Sequence, residues 1–196
     1  MPKIVDYENK KQEIIEKAKE VFAKRGYYNT SLSHISHKCG MGRTTIYQYF
    51  KNKDEIFYYS VEAILVDLQL KVEAIIGDEE LTFLEKLKKL VFELTNEYEH
   101  NYVFVLLAEI WIVLQRENND LLNKLRKYTE DLKKSINKLI AQGIEAKEIK
   151  PIDSESMADT IYSFIESFTF QSNVNGDMDV ERQLNSVNIL IDGLRS

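Results

Sequence analysis

The residues with the clearest chemical potential lie in one stretch, Cys39 to Phe57, which reads CGMGRTTIYQYFKNKDEIF. Arginine, threonine, tyrosine, glutamine and lysine side chains are concentrated here, and each of these residue types carries a hydrogen-bond donor. Donors of this kind bind phosphate oxygens and the edges of nucleic-acid bases. The stretch therefore predicts a surface that reads DNA, with the corner of an ordinary helical domain as the alternative.

A short helix from about Arg43 to Tyr49 would sort these side chains onto separate faces. At about 100° per residue, Ile46 and Phe50 project together and form the buried side. Thr44 and Gln48 then point the opposite way, where the floor of a major groove would lie. The flanks carry the other donors, Arg43 and Tyr47 on one side and Thr45 and Tyr49 on the other. Central residues that read bases between flanks that bind phosphates are what a helix inserted into DNA requires.

The residues before this helix predict a helix-turn-helix. Thr30 and Ser31 can cap a preceding short helix. Ser36 is small where the two helices would cross, Gly40 lies in the turn, and Ile46 lies behind it. This spacing lets two short helices pack nearly at right angles.

The sequence NKDE predicts the start of a fourth helix. Asn52 can cap it while Glu55 reaches back, which is the capping-box arrangement. The ammonium group of Lys53 and the free N–H groups of the first turn would form a further anion site.

The charge of the chain is divided unevenly. Residues 1–60 contain eleven Lys and Arg and seven Asp and Glu, a net charge of +4, whereas residues 61–196 carry −10 of the total of −6. A basic front and an acidic body indicate two surfaces with different partners. Cys39 is the single cysteine, so an intrachain disulfide is excluded and a cytoplasmic protein is predicted. Because the N-terminus is charged and lacks an apolar core, we expect no secretory signal there, and no apolar run is long enough to predict a helix that spans a bilayer.

The fold class predicted for the whole chain is all-α, with nine helices. Seven glycines and two prolines in 196 residues leave room for long helices, and no segment has the period of a strand. The predicted ranges are about 6–24, 31–39, 43–49, 54–76, 79–99, 102–116, 120–142, 154–172 and 178–194, with Gly26, Gly77 and Gly143 as helix ends.

Residues 26–57, GYYNTSLSHISHKCGMGRTTIYQYFKNKDEIF, resemble the DNA-binding signature of TetR-family transcriptional regulators. The resemblance implies a homodimer that binds a palindromic operator and is released by a small ligand. It places the DNA contacts on Thr30, Ser31, Leu32, Arg43, Thr44, Thr45, Tyr47, Gln48, Tyr49 and Lys53. Two positions depart from the family pattern. Gly42 stands where a capping serine is usual, and Cys39 replaces a common alanine.

We therefore expect a helix-turn-helix DNA-binding domain at residues 1–52 and a ligand-binding and dimerisation domain at residues 53–196. The expected function is a ligand-responsive regulator of transcription, most simply a repressor, which is not an enzyme and needs neither metal nor cofactor. Its expected partners are duplex DNA, a small apolar or aromatic inducer and a second copy of the chain, with no membrane.

The distal part contains enough aromatic surface to line a ligand pocket. The pocket candidates are Phe83, Phe92, Tyr98, Tyr102, Glu109, Trp111, Tyr162, Phe164 and Phe168. Ordinary core packing is the alternative for each aromatic residue. Glu109 lies inside an apolar run, and a buried carboxylate needs a partner. That partner is either internal, namely Arg116 or a tyrosine hydroxyl, or a cationic or hydroxylated ligand.

The last two helices are the candidates for the dimer interface. The apolar residues of the final helix step by four and three residues, as in a heptad seam, and small serines in the helix before it permit close approach. The interface candidates are Ser163, Ser167, Val180, Leu184, Val187, Ile191 and Leu194. The alternative is that this helix docks wholly within one subunit.

The sequence argues against two other chemistries. His34, His37 and Cys39 cannot converge on one metal ion, because Cys39 lies about 140° around the helix from His34. An all-helical enzyme or a protein-binding module would be the rival class, with Glu109 and His100 as the best acid–base pair, but no catalytic motif appears.

Overall fold

The computed structural model describes residues 3–95, 120–174 and 179–196. These residues form eight α-helices, which we number in chain order: α1 Lys3–Arg25, α2 Leu32–Cys39, α3 Arg43–Ile46, α4 Lys53–Gly77, α5 Phe83–Thr95, α6 Asp120–Glu145, α7 Ser154–Val174 and α8 Val180–Asp192. In the described ranges, extended pairing is limited to an isolated antiparallel bridge between Ile149 and Arg195. The all-α class is thus confirmed. The predicted helix at 102–116 lies outside the described residues.

Glycines end the first two helices, as predicted. The N–H of Gly26 donates to Phe22 O over 2.6 Å, and Gly26 adopts φ 72°. Gly40 adopts φ 66°, and the following Met41 N–H donates to Ser36 O over 2.9 Å. Both glycines have left-handed backbone conformations that other residues rarely adopt. The two turns therefore let the chain change direction between α1, α2 and α3 within a few residues.

Capping boxes start three of the helices. At α2, the side chain of Ser31 accepts from His34 N–H, and Nδ1 of His34 accepts from Ser31 N–H. At α4, Asn52 Oδ1 accepts from Glu55 N–H over 2.8 Å. The Glu55 carboxylate reaches Lys51 N–H, one residue earlier than the simple box. The third box, between Thr82 and Glu85, starts α5 at Phe83 and not near residue 79, which was the predicted start.

Helix α6 does not end at Gly143, as the sequence pattern predicted; it continues to Glu145. An ideal Cβ on Gly143 would lie 2.6 Å from Ile149 Cδ1 and 3.1 Å from Phe83 Cβ. The glycine is therefore needed for close packing. Lys147, with φ 60°, supplies the left-handed residue after the helix.

The described residues form two compact units. The first extends to Val66 and also takes in residues 120–123, and the second contains the other described residues from Asp67 onward. In the first unit α2 packs on both α1 and α3. The predicted domain boundary between residues 52 and 53 stays a prediction. The first core is built from these buried side chains: Ile14, Phe22, Ile35, Ile46, Phe50, Ile56 and Phe57.

In the second unit α5 packs on α7 and α8. Its core draws leucine, isoleucine and valine side chains from α5, α6, α7 and α8. The chain end is held by main-chain bonds, since Lys150 N–H donates to Leu194 O and Ser196 N–H donates to Glu148 O. None of the described helices is both long enough and apolar enough to cross a bilayer.

Candidate nucleic-acid interface

Helix α3 has the two-sided character that its sequence predicts. Ile46 and Phe50 are buried in the first unit, whereas Thr44 and Gln48 are exposed. Arg43 and Tyr47 are also exposed on one flank. Thr45 and Tyr49, on the other flank, are half-buried. The apolar side therefore anchors the helix and leaves a continuous row of donors facing outward.

Arg43 and Tyr47 form a pair on the exposed flank. Nη2 of Arg43 lies 3.4 Å from the Tyr47 hydroxyl, and its guanidinium carbon lies 5.9 Å from the centre of the Tyr47 ring. They are one helical turn apart, which brings the two side chains together. The pair presents a cation beside a phenolic hydroxyl, both of which bind phosphate oxygens.

The helix is shorter than predicted, because regular α-helix ends at Ile46 and not near Tyr49. The N–H groups of Gln48 and Tyr49 donate three residues back, to Thr45 O and Ile46 O. The chain tightens in this way as it turns toward the Asn52 cap of α4. Gln48 and Tyr49 therefore occupy a turn whose shape the helix alone does not determine.

Lys53 is already engaged within the first unit. Its ammonium group donates to Tyr27 O over 2.8 Å and lies 4.0 Å from the centre of the Tyr27 ring. The Tyr27 hydroxyl in turn donates to Asp54 Oδ1 over 2.6 Å. An ammonium group has three donors, so this bond leaves others for a phosphate. The predicted contact of Lys53 with DNA stays a prediction.

Two of the predicted DNA contacts at the start of α2, Thr30 and Leu32, have buried side chains. The side chain of Thr30 is only 3% exposed, and its hydroxyl donates to Gly26 O over 2.7 Å, so it closes the end of α1. Leu32 is buried as a core residue. These two side chains do not face solvent, and only their backbone could reach DNA. Ser31 is exposed, as is Ser33, which the sequence pattern did not single out.

Comparison with known proteins identifies this arrangement. Residues 14–59, from α1 into α4, match the family described as bacterial regulatory proteins, tetR family. The fatty acid metabolism regulator protein of Bacillus subtilis (strain 168) is 30% identical over 144 residues, covering 72% of this chain and 71% of the relative. The chain belongs to the TetR family. This membership confirms the prediction that the protein is a DNA-binding transcriptional regulator and not an enzyme.

Two further similarities extend over most of this TetR-family chain. The HTH-type negative transcriptional regulator IcaR of the biofilm operon icaADBC from Staphylococcus aureus (strain Newman) is 23% identical over 158 residues, 81% of each chain. The crystal structure of the transcriptional regulator FadR from Bacillus subtilis in complex with stearoyl-CoA superposes with a TM-score of 0.67 at 26% identity. The superposition covers 92% of this chain and 96% of the FadR chain.

A second basic surface of the TetR-family chain includes the outer face of the first helix of the helix-turn-helix. It is a cleft between the end of α1 and the outer face of α2, lined by Glu20, Val21, Lys24, Arg25, His34, His37 and Lys38. Glu20 and Lys38 form an ion pair of 2.5 Å, which lowers the pKa of the Glu20 carboxyl. The cleft adds positive charge to the unit that carries α3.

The histidines and the cysteine of α2 face different ways. Cys39 is buried, and its burial raises the pKa of the thiol. His37 is exposed. In the described part of the chain, no cluster of His, Cys, Asp and Glu side chains could hold a metal ion.

The predicted pocket residues divide into three groups. Phe168 is buried in the second unit, and Phe83, Tyr162 and Phe164 pack against its core. Phe92 is 46% exposed, so it does not share this core. Tyr98, Tyr102, Glu109 and Trp111, together with His100 and Arg116, lie outside the described residues. Desolvation raises the pKa of the Tyr162 hydroxyl, which donates to Thr129 Oγ1 over 3.3 Å.

The final helix turns most of its predicted interface residues toward its own unit. Leu184, Val187, Ile191 and Leu194 are buried in the core of the second unit, so they expose little area to a partner. Ile189 and Leu190 are instead 64% and 67% exposed. On α7, Ser163 and Ser167 are exposed, as expected for an interface or for solvent. The side chain of Val180 lies outside the described set.

Proposed function

We propose that this TetR-family protein is a cytoplasmic, homodimeric repressor that reads a palindromic operator with α3. The observation that carries the proposal is the row of exposed donors at Arg43, Thr44, Tyr47 and Gln48 above the buried Ile46 and Phe50. Two copies of α3 would enter successive major grooves, about 34 Å apart or a multiple of that distance. The negative transcriptional regulator IcaR, a relative over 81% of the chain, supports repression.

The electrostatics of the chain favour this orientation. The net charge of +4 on residues 1–60 lies in the part that carries α3, and the −10 lies beyond it. A basic surface attracts the phosphate backbone at long range, whereas an acidic body is repelled from it. DNA should therefore approach the first unit even though the whole chain is negative.

The dimer interface in this proposal is the exposed side of α7 and α8. Ile189 and Leu190 are large apolar residues left in solvent, and Ser163 and Ser167 allow a neighbouring helix to approach closely. Two α7–α8 pairs related by a two-fold axis would make a four-helix interface. Leu184, Val187, Ile191 and Leu194 would support this surface from behind.

The ligand that we propose is a long-chain acyl thioester of coenzyme A. Support comes from the Bacillus subtilis fatty acid metabolism regulator, at 30% identity, and from FadR solved with stearoyl-CoA. An acyl chain also suits the apolar and aromatic composition that the sequence predicts for the distal part. Helix α4 contributes residues to both units, so a ligand in the second unit could act on DNA binding through this helix. It can do so only if it binds the two conformations with different affinity.

Selection and titration would test the proposal. The full-length protein is used to select duplexes from a randomised library, and the affinity of the selected duplex is measured by fluorescence anisotropy. We expect a palindrome, binding that weakens steeply with salt, and release on addition of stearoyl-CoA. Coenzyme A alone and free stearate are the controls. Failure to select any sequence would refute the DNA-reading role, and release by none of the three compounds would refute the ligand class.

A further inference from the structure

The N-terminal part of α1 contacts the DNA-reading turn directly. Tyr7 precedes Gln48 by 41 residues, yet its hydroxyl donates a hydrogen bond to the main-chain oxygen of Gln48 over 3.2 Å. The ring of Tyr7 also stacks on the ring of Tyr49, with the two centroids 4.9 Å apart and the planes inclined by 23°. One side chain therefore holds both the backbone and a side chain of this turn.

This contact fills a need that the short α3 creates. The last carbonyl groups of a helix have no partner within the helix. Because α3 ends at Ile46, the carbonyl of Gln48 lies beyond its regular hydrogen bonding. Tyr7 supplies a donor to this carbonyl, and its ring covers Tyr49, which is half-buried. The conformation of the turn thus depends on α1.

Tyr7 is itself held by a well-anchored face of α1. Lys11, one turn further on, places its ammonium group 4.2 Å from the centre of the Tyr59 ring and 5.5 Å from that of Phe50. Ile14, two turns on, is completely buried. Residues at this spacing lie on one side of a helix. The side chain of Tyr7 is therefore presented by a helix that the core fixes, while the residue itself remains 41% exposed.

We propose that Tyr7 is a positioning residue for DNA reading. It holds the Gln48–Tyr49 turn in the conformation that presents the Gln48 amide to the groove, and so sets how strongly the protein discriminates between bases. The inference rests on the proposed DNA-reading role of α3. Removing Tyr7 loosens the turn but leaves the core residues behind it in place, so discrimination falls while the unit stays folded.

The test compares variants on one duplex, selected from a randomised library by the wild-type protein, and on a scrambled duplex of equal length. Tyr7→Phe loses the hydrogen bond alone and should bind the selected duplex about three-fold more weakly. Tyr7→Ala also loses the stacking and should bind about ten-fold more weakly. Affinity for the scrambled duplex should change by less than about two-fold, since phosphate contacts supply non-specific binding. Tyr28→Ala is the matched control, because Tyr28 is exposed and contacts the ring of Tyr27.

A double-mutant cycle separates positioning from a general loss of stability. In a protein that already carries Gln48→Ala, Tyr7→Ala should weaken binding to the selected duplex by less than about two-fold, because no amide remains to be positioned. Thermal unfolding checks that each variant is folded. If Tyr7→Ala does not fold, the cycle is measured with Tyr7→Phe in its place. Equal losses on both duplexes, or additive effects with Gln48→Ala, would overturn the inference and leave DNA reading intact. If the wild-type protein selects no duplex, the DNA-reading role fails first.

Discussion

The ammonium group of Lys53 lies 2.8 Å from the main-chain oxygen of Tyr27 and 4.0 Å from the centre of its ring. This contact ties the start of α4 to the turn between α1 and α2. Lys53 is also a predicted phosphate contact, so the same side chain would link operator binding to the packing of α4. A shift of α4 would then move a DNA contact and a structural tether together.

Lys53→Ala should therefore have two measurable effects. Loss of one phosphate contact in each subunit should reduce the slope of log affinity against log salt by about 0.9 per contact. Loss of the bond and ring contact with Tyr27 should lower the free energy of unfolding by about 1 kcal/mol. Lys134→Ala is the control for removing a cation, because this side chain on α6 is 73% exposed. It should change neither the salt slope nor the free energy of unfolding. An unchanged salt slope with reduced stability would show that Lys53 contacts Tyr27 but not a DNA phosphate.

Gln48 and Arg43 should differ in the kind of binding that they supply. Gln48 is exposed on the edge of α3 that we propose faces the groove. Gln48→Ala should therefore abolish the preference at one base pair of each half-site, a loss of about 1–3 kcal/mol for that base alone. Arg43 lies on the flank beside Tyr47, so Arg43→Ala should weaken binding to all sequences alike. Anisotropy on the selected duplex and its single-base variants measures both.

The contrast between these two variants is the critical result. If Gln48→Ala weakens every duplex by the same factor, Gln48 contacts the backbone and the groove edge of α3 is wrongly assigned. If the effect of Arg43→Ala is confined to one base pair of each half-site, Arg43 reads a base. Tyr47→Phe, which removes only the hydroxyl of the flank pair, should follow Arg43→Ala in direction with a smaller loss.

Local sequence patterns predict the ends of α1 and α2 and the start of α4, because each of these depends on neighbouring residues. Gly26 and Gly40 terminate helices through their own backbone freedom, and Asn52 caps α4 within three residues of its partner. The alternation of buried Ile46 with exposed Thr44 and Gln48 likewise follows from helix geometry alone. The exposed side of α3 could therefore be predicted without a structure.

What could not be predicted depends on partners distant in the sequence. Thr30 resembles a solvent-facing cap, but its hydroxyl satisfies Gly26 O after the chain has turned. Gly143 resembles a helix end in the sequence, but in the fold it is a helical residue against which Ile149 and Phe83 pack closely. The sequence around Tyr7 does not indicate its role, because the residues that it contacts follow it by more than forty positions. Only the packed unit reveals these roles.

The exposed apolar residues of α8 predict the behaviour of the protein in solution. Replacing Ile189 and Leu190 together by glutamate should convert a dimer into a monomer, because charges would have to be buried in the interface. The fold of each subunit should survive, since both residues are exposed. Analytical ultracentrifugation measures the mass, and circular dichroism checks the helix content. Asn185→Glu, another exposed position on α8, is the control for added charge, and a double variant that stays dimeric would move the interface elsewhere.

Gly143→Ala should destabilise the second unit by about 1–3 kcal/mol, the usual cost of forcing an extra group into a packed core. The new Cβ would lie 2.6 Å from Ile149 Cδ1 and 3.1 Å from Phe83 Cβ, so the segment after α6 must move away from α5. Gly77→Ala is the matched control, because a Cβ at the end of α4 meets no atom within 4 Å and should leave stability unchanged or slightly increased. Urea unfolding followed by circular dichroism compares the two. Equal stability in both variants would mean that Ile149 relaxes without cost, and Gly143 would then be an ordinary helical residue.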